Sequence, residues 1–458
     1  MNESENQVPA PGSSSLVLLV AIVASPLLVA WVWPELPALG KLPTARHAGS
    51  TFDVSPQAFQ RSRIDEPSPG PPRIANVAVH DLDNDGRADV LVCDARRGVV
   101  AIHRRDATGS WTTRQIATAL PVPVHATPVD LDADGDLDFV VACLGNAYPD
   151  DGRVGQVVWL ENTRSDDGND PSGSFRQHVL LRDIRRVADV QAGDLDQDGD
   201  IDLVVAEFGY ARGRILWLEN PGDQRFRPHP IHHATGTIHV PLADYDGDGD
   251  LDIAAIISQN DEELWLFDND GRAGFTARRI WTTVNFDIGS AGLIRADLDS
   301  DGDPDLLLSA GDNLEFAYTY PQPYHGCLWF ENRGDGTFTE HRLIDFGGCH
   351  AAAVADIDGD GDRDVALVSM FNAWYQDETA SVIWLENDGQ QRFVPWQIDT
   401  GPTHLATVAC GDLDGDGLAD IVAGGWHVIP PYHRTGGVTA WMTKANGSSP
   451  PATRRPRR

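Results

Sequence analysis

The stretch DLDADGDLD, residues 130–138, has aspartate at its first, third, fifth and ninth positions and glycine at its sixth. Four carboxylates this close repel one another and destabilise a chain unless positive charge sits among them. The same spacing returns in DLDNDGRAD (81–89), DLDQDGDID (194–202), DYDGDGDLD (244–252), DLDSDGDPD (297–305), DIDGDGDRD (356–364) and DLDGDGLAD (412–420). Oxygens at positions 1, 3 and 5 converge on one hard cation, and the glycine permits a sharp reversal. The residue at position 7 offers its carbonyl and the last aspartate closes the shell, an oxygen-rich and flexible cage of the kind Ca²⁺ prefers over Mg²⁺. The expected ligands are Asp81, Asp83, Asp85 and Asp89; Asp130, Asp132, Asp134 and Asp138; Asp194, Asp196, Asp198 and Asp202; Asp244, Asp246, Asp248 and Asp252; Asp297, Asp299, Asp301 and Asp305; Asp356, Asp358, Asp360 and Asp364; and Asp412, Asp414, Asp416 and Asp420. An EF-hand opens alike but closes with Glu at position 12, between helices. Here position 12 is Val141, inside a β-like run. The reading is about seven calcium sites, each in a loop between strands.

The copies begin 49 to 64 residues apart, and the chain between them is regular too. An apolar run follows each loop, such as FVVAC, LVVAE or LLLSA. Next comes a strand with an aromatic centre: VVWLEN, ILWLEN, LWLFDN, LWFENR and VIWLEN. A further strand starts on an aromatic residue, with a basic or bulky residue three later and an aliphatic five later: FRQHVL, FRPHPI, FTARRI, FTEHRL and FVPWQI, with WTTRQI in the first repeat. Short runs rich in Val, Ile, Leu and aromatics, bounded by Gly, Asn, Asp and Pro, read as strands. Four strands in each of seven repeats predict an all-β fold, a seven-bladed β-propeller over 58–443. The last repeat ends at GVTAWMT without its fourth strand, and FQRSRI (59–64), upstream of the first repeat, has the missing spacing. That segment is expected to complete the seventh blade and leave no open edge.

On these DxDxDGxxD loops, the chain resembles the VCBS/FG-GAP repeat propellers, the repeat type also found in the integrin α head. The resemblance implies calcium in the turn between the first two strands of a blade, carried to the four aspartates of each loop above. Phe-Gly and Gly-Ala-Pro signatures are mostly missing, with traces at Phe208-Gly209 and Phe346-Gly347. This departure argues against integrin-like ligand binding.

The formal net charge is −34, and seven divalent cations would bring it to about −20. The acidity is largely a metal signature and argues against nucleic acid, whose binders present basic surfaces. Residues 16–33, LVLLVAIVASPLLVAWVW, are uncharged and mostly apolar after a short segment 1–15. At 1.5 Å per residue they nearly span a ~30 Å hydrocarbon core. They read as a transmembrane signal anchor, with a signal peptide and a secreted product as the alternative. Glu3 and Glu5 before the segment and Lys41 and Arg46 after it would place the propeller inside by charge. Calcium sites of this type need a compartment rich in calcium, and long domains cross largely regardless of charge, so a membrane-anchored, extracytoplasmic propeller is expected. Residues 34–57 read as a Pro-rich linker and 444–458 as a disordered basic tail. Of five cysteines, Cys93 and Cys143 are expected as core thiols, and Cys327 and Cys349 as a disulfide candidate.

Antiparallel strands put the aspartate loops on one face. The loops between second and third strands, and the lead-ins to the innermost strand, lie on the other. Those lead-ins carry His125, His239, His350 and His404, with Asp189 and Asp287. Such a ring could hold a transition metal or move protons; each residue could equally cap its own turn. The long loops on the same face carry Tyr148, Tyr210, Tyr320, Trp374, Tyr375, Trp426 and Tyr432. Flat apolar rings beside polar groups suit a glycan or a protein partner. Two functions compete: a non-catalytic binding module, or a propeller enzyme of the sugar lyase or dehydratase type using the axial His/Asp set. No P-loop, dinucleotide fingerprint, nucleophile elbow or HExxH motif occurs.

Overall fold

A computed structural model describes residues 51–66, 70–83, 85–148, 151–163, 174–259, 261–285, 288–312 and 321–445. The expected membrane segment 16–33 lies outside the described residues, as do 1–15, most of the linker and nearly all of the basic tail. No helix among the described residues is long and apolar enough to cross a membrane.

The described chain forms seven four-stranded antiparallel sheets. In chain order, blade 1 spans 74–117, blade 2 123–184, blade 3 186–232, blade 4 237–283, blade 5 290–345 and blade 6 349–399. Blade 7 combines 405–444 with the strand Ala58–Arg63, which precedes blade 1. That strand pairs antiparallel with Val438–Lys444, setting Phe59 opposite Thr443 and Arg63 opposite Thr439. The ends of the ring are therefore joined by backbone hydrogen bonds, as the spacing of FQRSRI predicted.

Blade 2 shows why each strand takes its place. Its second strand, Asp138–Cys143, is buried along its whole length, because neighbouring blades cover both of its faces. Its outermost strand, Ser174–Ile184, is largely half-exposed or exposed, which suits its mix of Arg, Gln, His and aliphatic residues. The core is a ring of seven apolar clusters, one at each blade boundary. Leu91 and Cys93 of blade 1 pack with Phe139 and Val141 of blade 2, and Val422 and Met442 of blade 7 pack with Ile74 and Val90 of blade 1. Blade 4 is irregular: Pro241, which has no N–H, splits its innermost strand into Thr237–His239 and Leu242–Ala243.

Residues 51–57, the end of the segment read as a Pro-rich linker, run as a strap along blade 6. Ser55 N–H donates to the Gln397 carbonyl at 2.9 Å, Trp384 Nε1 donates to Ser55 Oγ at 2.9 Å, and Phe52 meets Phe346 edge-on. Cys327 and Cys349 are free thiols, not a disulfide. One lies in the third strand of blade 5 and the other in the first strand of blade 6, so they meet as packing partners in one interface cluster. Burial pushes the Cys349 thiol up to about 12. Cys93 and Cys143 are buried in a core cluster, as expected.

Candidate functional site

Each aspartate loop joins the first strand of a blade to the second, so all seven lie on one face. In every loop the glycine at position 6 has a positive φ, from +85° at Gly86 to +99° at Gly361. Its N–H points back to the position-1 carboxylate: Gly86 to Asp81 at 2.9 Å, Gly135 to Asp130 at 3.0 Å, Gly417 to Asp412 at 2.8 Å. A side chain with a Cβ is strained in that conformation, which accounts for the glycine. The residue at position 7 donates its N–H to the position-5 carboxylate, as Asp136 does to Asp134 at 3.0 Å.

These turns leave carboxylate oxygens facing one another. In the loops of blades 1, 2 and 4, one oxygen from each of positions 1, 3 and 5 falls within 4.8 Å of the others; in blade 3, Asp194, Asp196 and Asp202 do the same. One oxygen of each of Asp132, Asp299 and Asp414, all at position 3, is buried without a hydrogen-bond partner. Burial raises the position-9 carboxyls, Asp138 and Asp202 to about 6 and Asp364 and Asp420 to about 7. Orphaned buried oxygens beside like charges fit a hard cation, so this donor set suits Ca²⁺. The chemistry it would supply is counter-charge and cross-linking of the turn.

Position 9 does something else as well. Asp138 accepts the N–H of Leu131 at 3.3 Å and that of Asn162 at 2.6 Å. The equivalent pairs recur through Asp202, Asp252, Asp305 and Asp364, each receiving the N–H of an asparagine that ends the third strand. The side chains of two such asparagines reach the preceding blade. Asn269 Nδ2 donates to Leu195 O at 2.8 Å and Asn332 Nδ2 donates to Tyr245 O at 2.9 Å. The last aspartate therefore ties the loop to the blade core, whatever it contributes to a cation.

A second acidic layer escaped the sequence reading. The third strand of blades 2 to 6 places Glu161, Glu219, Asp268, Glu331 or Glu386 beside the position-3 aspartate, whose carboxyl is raised first by burial, then by the position-5 aspartate, with a smaller addition from this acid. Asp268 lies within 4.8 Å of Asp246 and Asp252. The residue three places into the fourth strand holds this acid: His178 to Glu161 at 2.6 Å, His229 to Glu219 at 2.8 Å, Arg278 to Asp268 at 2.8 Å, His341 to Glu331 at 2.6 Å and Trp396 to Glu386 at 2.6 Å. Trp159, Trp217 and Trp329 pack face-on or tilted against the three histidines. The signal was present in the repeated WLEN and FxxH strings. Only strand pairing showed that they meet.

The axial residues divide. The innermost strand of every blade carries a bulge at the same place. The residue after it, five before the loop, is Asn76, His125, Asp189, His239, Gly292, Ala351 or Thr407. His125, Asp189 and His239 are thus equivalent neighbours from blades 2, 3 and 4. His125 Nδ1 is hydrogen-bonded to Asp189, whose other oxygen is 3.6 Å from His239 Nδ1 and accepts the Val240 N–H at 3.0 Å. His239 Nε2 donates to Ala291 O of blade 5 at 3.2 Å. Burial alone would lower the His125 imidazole, but the Asp189 carboxylate more than reverses this and raises it. Burial alone would raise Asp189, and the two histidines hold it well below the usual carboxylate range.

His350 and His404 do not join them. His350 is the bulged residue of its strand and donates Nδ1 to Ala406 O of blade 7 at 2.8 Å. His404 precedes its strand, is fully buried, and packs against His427 and Trp374, with burial pushing it down to about 3. Asp287 lies outside the described residues. Counting back five residues from each loop would have separated the sets.

On the face opposite the aspartate loops, Tyr148, Tyr375 and Tyr432 are exposed. The Arg73 guanidinium lies 5.7 Å from the Tyr148 ring and 5.9 Å from that of Trp426, linking the rims of blades 7, 1 and 2. Tyr210 is half-buried against Phe208. Trp374 is buried and donates Nε1 to Met370 O at 3.2 Å, so it is core rather than rim. Tyr320 lies outside the described residues.

A family profile described as FG-GAP-like repeat matches residues 68–141, 194–255, 244–308, 313–367 and 368–423. No curated protein matches the sequence. Two solved structures are similar in shape, both titled as BBS1N in complex with ARL6DN, one soaked with mercury and one with lead. They show 12% and 11% identity, a TM-score of 0.47 in each case, and cover 86% and 87% of this chain and 98% and 99% of theirs.

Proposed function

The chain belongs to the FG-GAP-like repeat family, and we propose that it is a calcium-stabilised propeller that binds a protein or glycan partner through the face opposite its aspartate loops. The observation that carries the calcium part is the convergence of carboxylate oxygens within 4.8 Å, with buried, unpartnered oxygens at position 3. The binding face is supported by three exposed tyrosines and the Arg73 guanidinium set between Tyr148 and Trp426. Exposed rings with a cation beside them offer contact area at little entropic cost. The axial set favours a structural tie over a lyase or dehydratase centre, because His125, Asp189 and His239 satisfy one another and the neighbouring backbone. The uncharged segment 16–33 supports a membrane-anchored propeller in a calcium-rich, extracytoplasmic compartment.

Elemental analysis of the purified full chain, followed by glycan-array and pull-down screens, tests this reading. Calcium without a stoichiometric transition metal is expected. Binding should weaken at least tenfold on Tyr148→Ala with Tyr432→Ala. A calcium-free protein, or a partner that ignores these substitutions and maps to the aspartate loops, would overturn it.

A further inference from the structure

Blades 2 to 6 each place an acid from the third strand next to the position-3 aspartate. Strand register shows what stands there in blade 1. Val90, just after Asp89, pairs with His103, as Phe139, just after Asp138, pairs with Leu160. The residue equivalent to Glu161 is therefore Arg104.

Its guanidinium enters the loop. Arg104 Nε donates to Asp89 Oδ2 at 3.1 Å, and Nη1 is 3.4 Å from Asp83 Oδ2. Position 7, which is Asp136, Asp200, Asp250, Asp303 or Asp362 in blades 2 to 6, is Arg87 here. Arg87 is hydrogen-bonded to the Asp85 carboxylate through its guanidinium, and its N–H donates to the same carboxylate at 2.9 Å. Three of the four carboxylates that should ligate a cation thus carry a guanidinium contact from the same blade. Two guanidiniums bring two positive charges, as one calcium ion would. They meet carboxylates in fixed hydrogen-bonded geometry and need no ion from solution. The oxygens of Asp81, Asp83 and Asp85 still converge, but a divalent ion entering there would face two fixed cations.

We propose that the first aspartate loop is closed by Arg104, with Arg87, in place of calcium. Blade 1 is then a metal-independent blade in a ring whose other loops respond to calcium. The inference rests on the calcium reading of the remaining loops.

The test is calcium content per full chain after equilibration in excess calcium and desalting, with the melting temperature as a fold check. The wild-type chain is expected to hold no more than six ions. Asp83→Asn should leave the count unchanged, whereas Asp132→Asn, at the same position in blade 2, should lower it by one. Arg104→Glu restores the acid found in blades 2, 3, 5 and 6 and should add one ion. Seven ions in the wild type, or loss of one ion on Asp83→Asn, would overturn the inference while leaving the calcium reading intact. A wild-type chain without calcium would overturn both. Asp83 is partly exposed, so its asparagine variant keeps the test valid if Arg104→Glu fails to fold.

Discussion

His125 of blade 2 is hydrogen-bonded through Nδ1 to Asp189 of blade 3, a carboxylate with 1% of its side chain exposed. The pair crosses a blade boundary next to the axis. With His239 on the far side of Asp189, it ties three blades at the point where their innermost strands crowd together.

That tie should give stability a defined pH dependence. His125 is raised in the folded state, so its contribution is fully present below the unfolded value of about 6.5 and is lost as pH rises through the folded value. Asp189 is lowered, so its contribution is present above about 4 and is lost as pH falls through the folded value. The pair therefore stabilises most between roughly pH 4 and 6.5. The difference in melting temperature between the wild type and His125→Gln should shrink as pH is raised from 6 to 9. Asp189→Ala should cost about 3 kcal/mol, because it removes a buried carboxylate that partners two half-buried imidazoles. A pH-independent difference would show that the pair carries no charge in the folded protein.

Chelation should loosen the ring. A ligand that binds only the folded state adds about 2.7 kcal/mol per site at a hundredfold excess over its Kd. Several such loops sum to a large term, so excess EGTA should lower the melting temperature by many degrees. Re-added calcium should restore it. An unchanged melt after confirmed metal loss would show that the N–H bonds to the aspartates suffice.

Three start points separate strap from closure. A chain beginning at Arg73 lacks the strand Ala58–Arg63 and exposes the edge of Val438–Lys444; it should aggregate. A chain beginning at Ala58 keeps that strand but loses Ser55, Phe52 and their contacts with blades 5 and 6, and should melt a few degrees lower than one beginning at Thr51. Equal melting of the last two would make the strap incidental.

Neighbouring aromatic residues in the loop of blade 6 should behave differently. Trp374 is 7% exposed and Tyr375 is 66% exposed. Trp374→Ala should destabilise by about 3–5 kcal/mol, as a buried aromatic does. Tyr375→Ala should stay within about 0.5 kcal/mol and affect only partner binding. Denaturant melts of the two variants check this directly.

The local rules were legible in the chain itself. The spacing of aspartates and the glycine at position 6 dictate the turn, because a left-handed φ and converging oxygens depend on a nine-residue window such as 130–138. The displaced strand at 59–64 was legible for the same reason: its pattern repeats that of six other strands. Which side chains meet across strands and blades was decided only by the tertiary structure. His125, Asp189 and His239 join through the bulge in each innermost strand, which sets apart His350 by one residue and His404 by three. The acid of WLEN reaches the histidine of FxxH only through the pairing of third and fourth strands. Arg104 carries no local mark of its role; strand register alone puts it where blades 2 to 6 hold an acid. Proximity between residues distant in sequence depends on register and blade packing. A local pattern specifies a turn or a strand, and the closed ring decides what stands beside it.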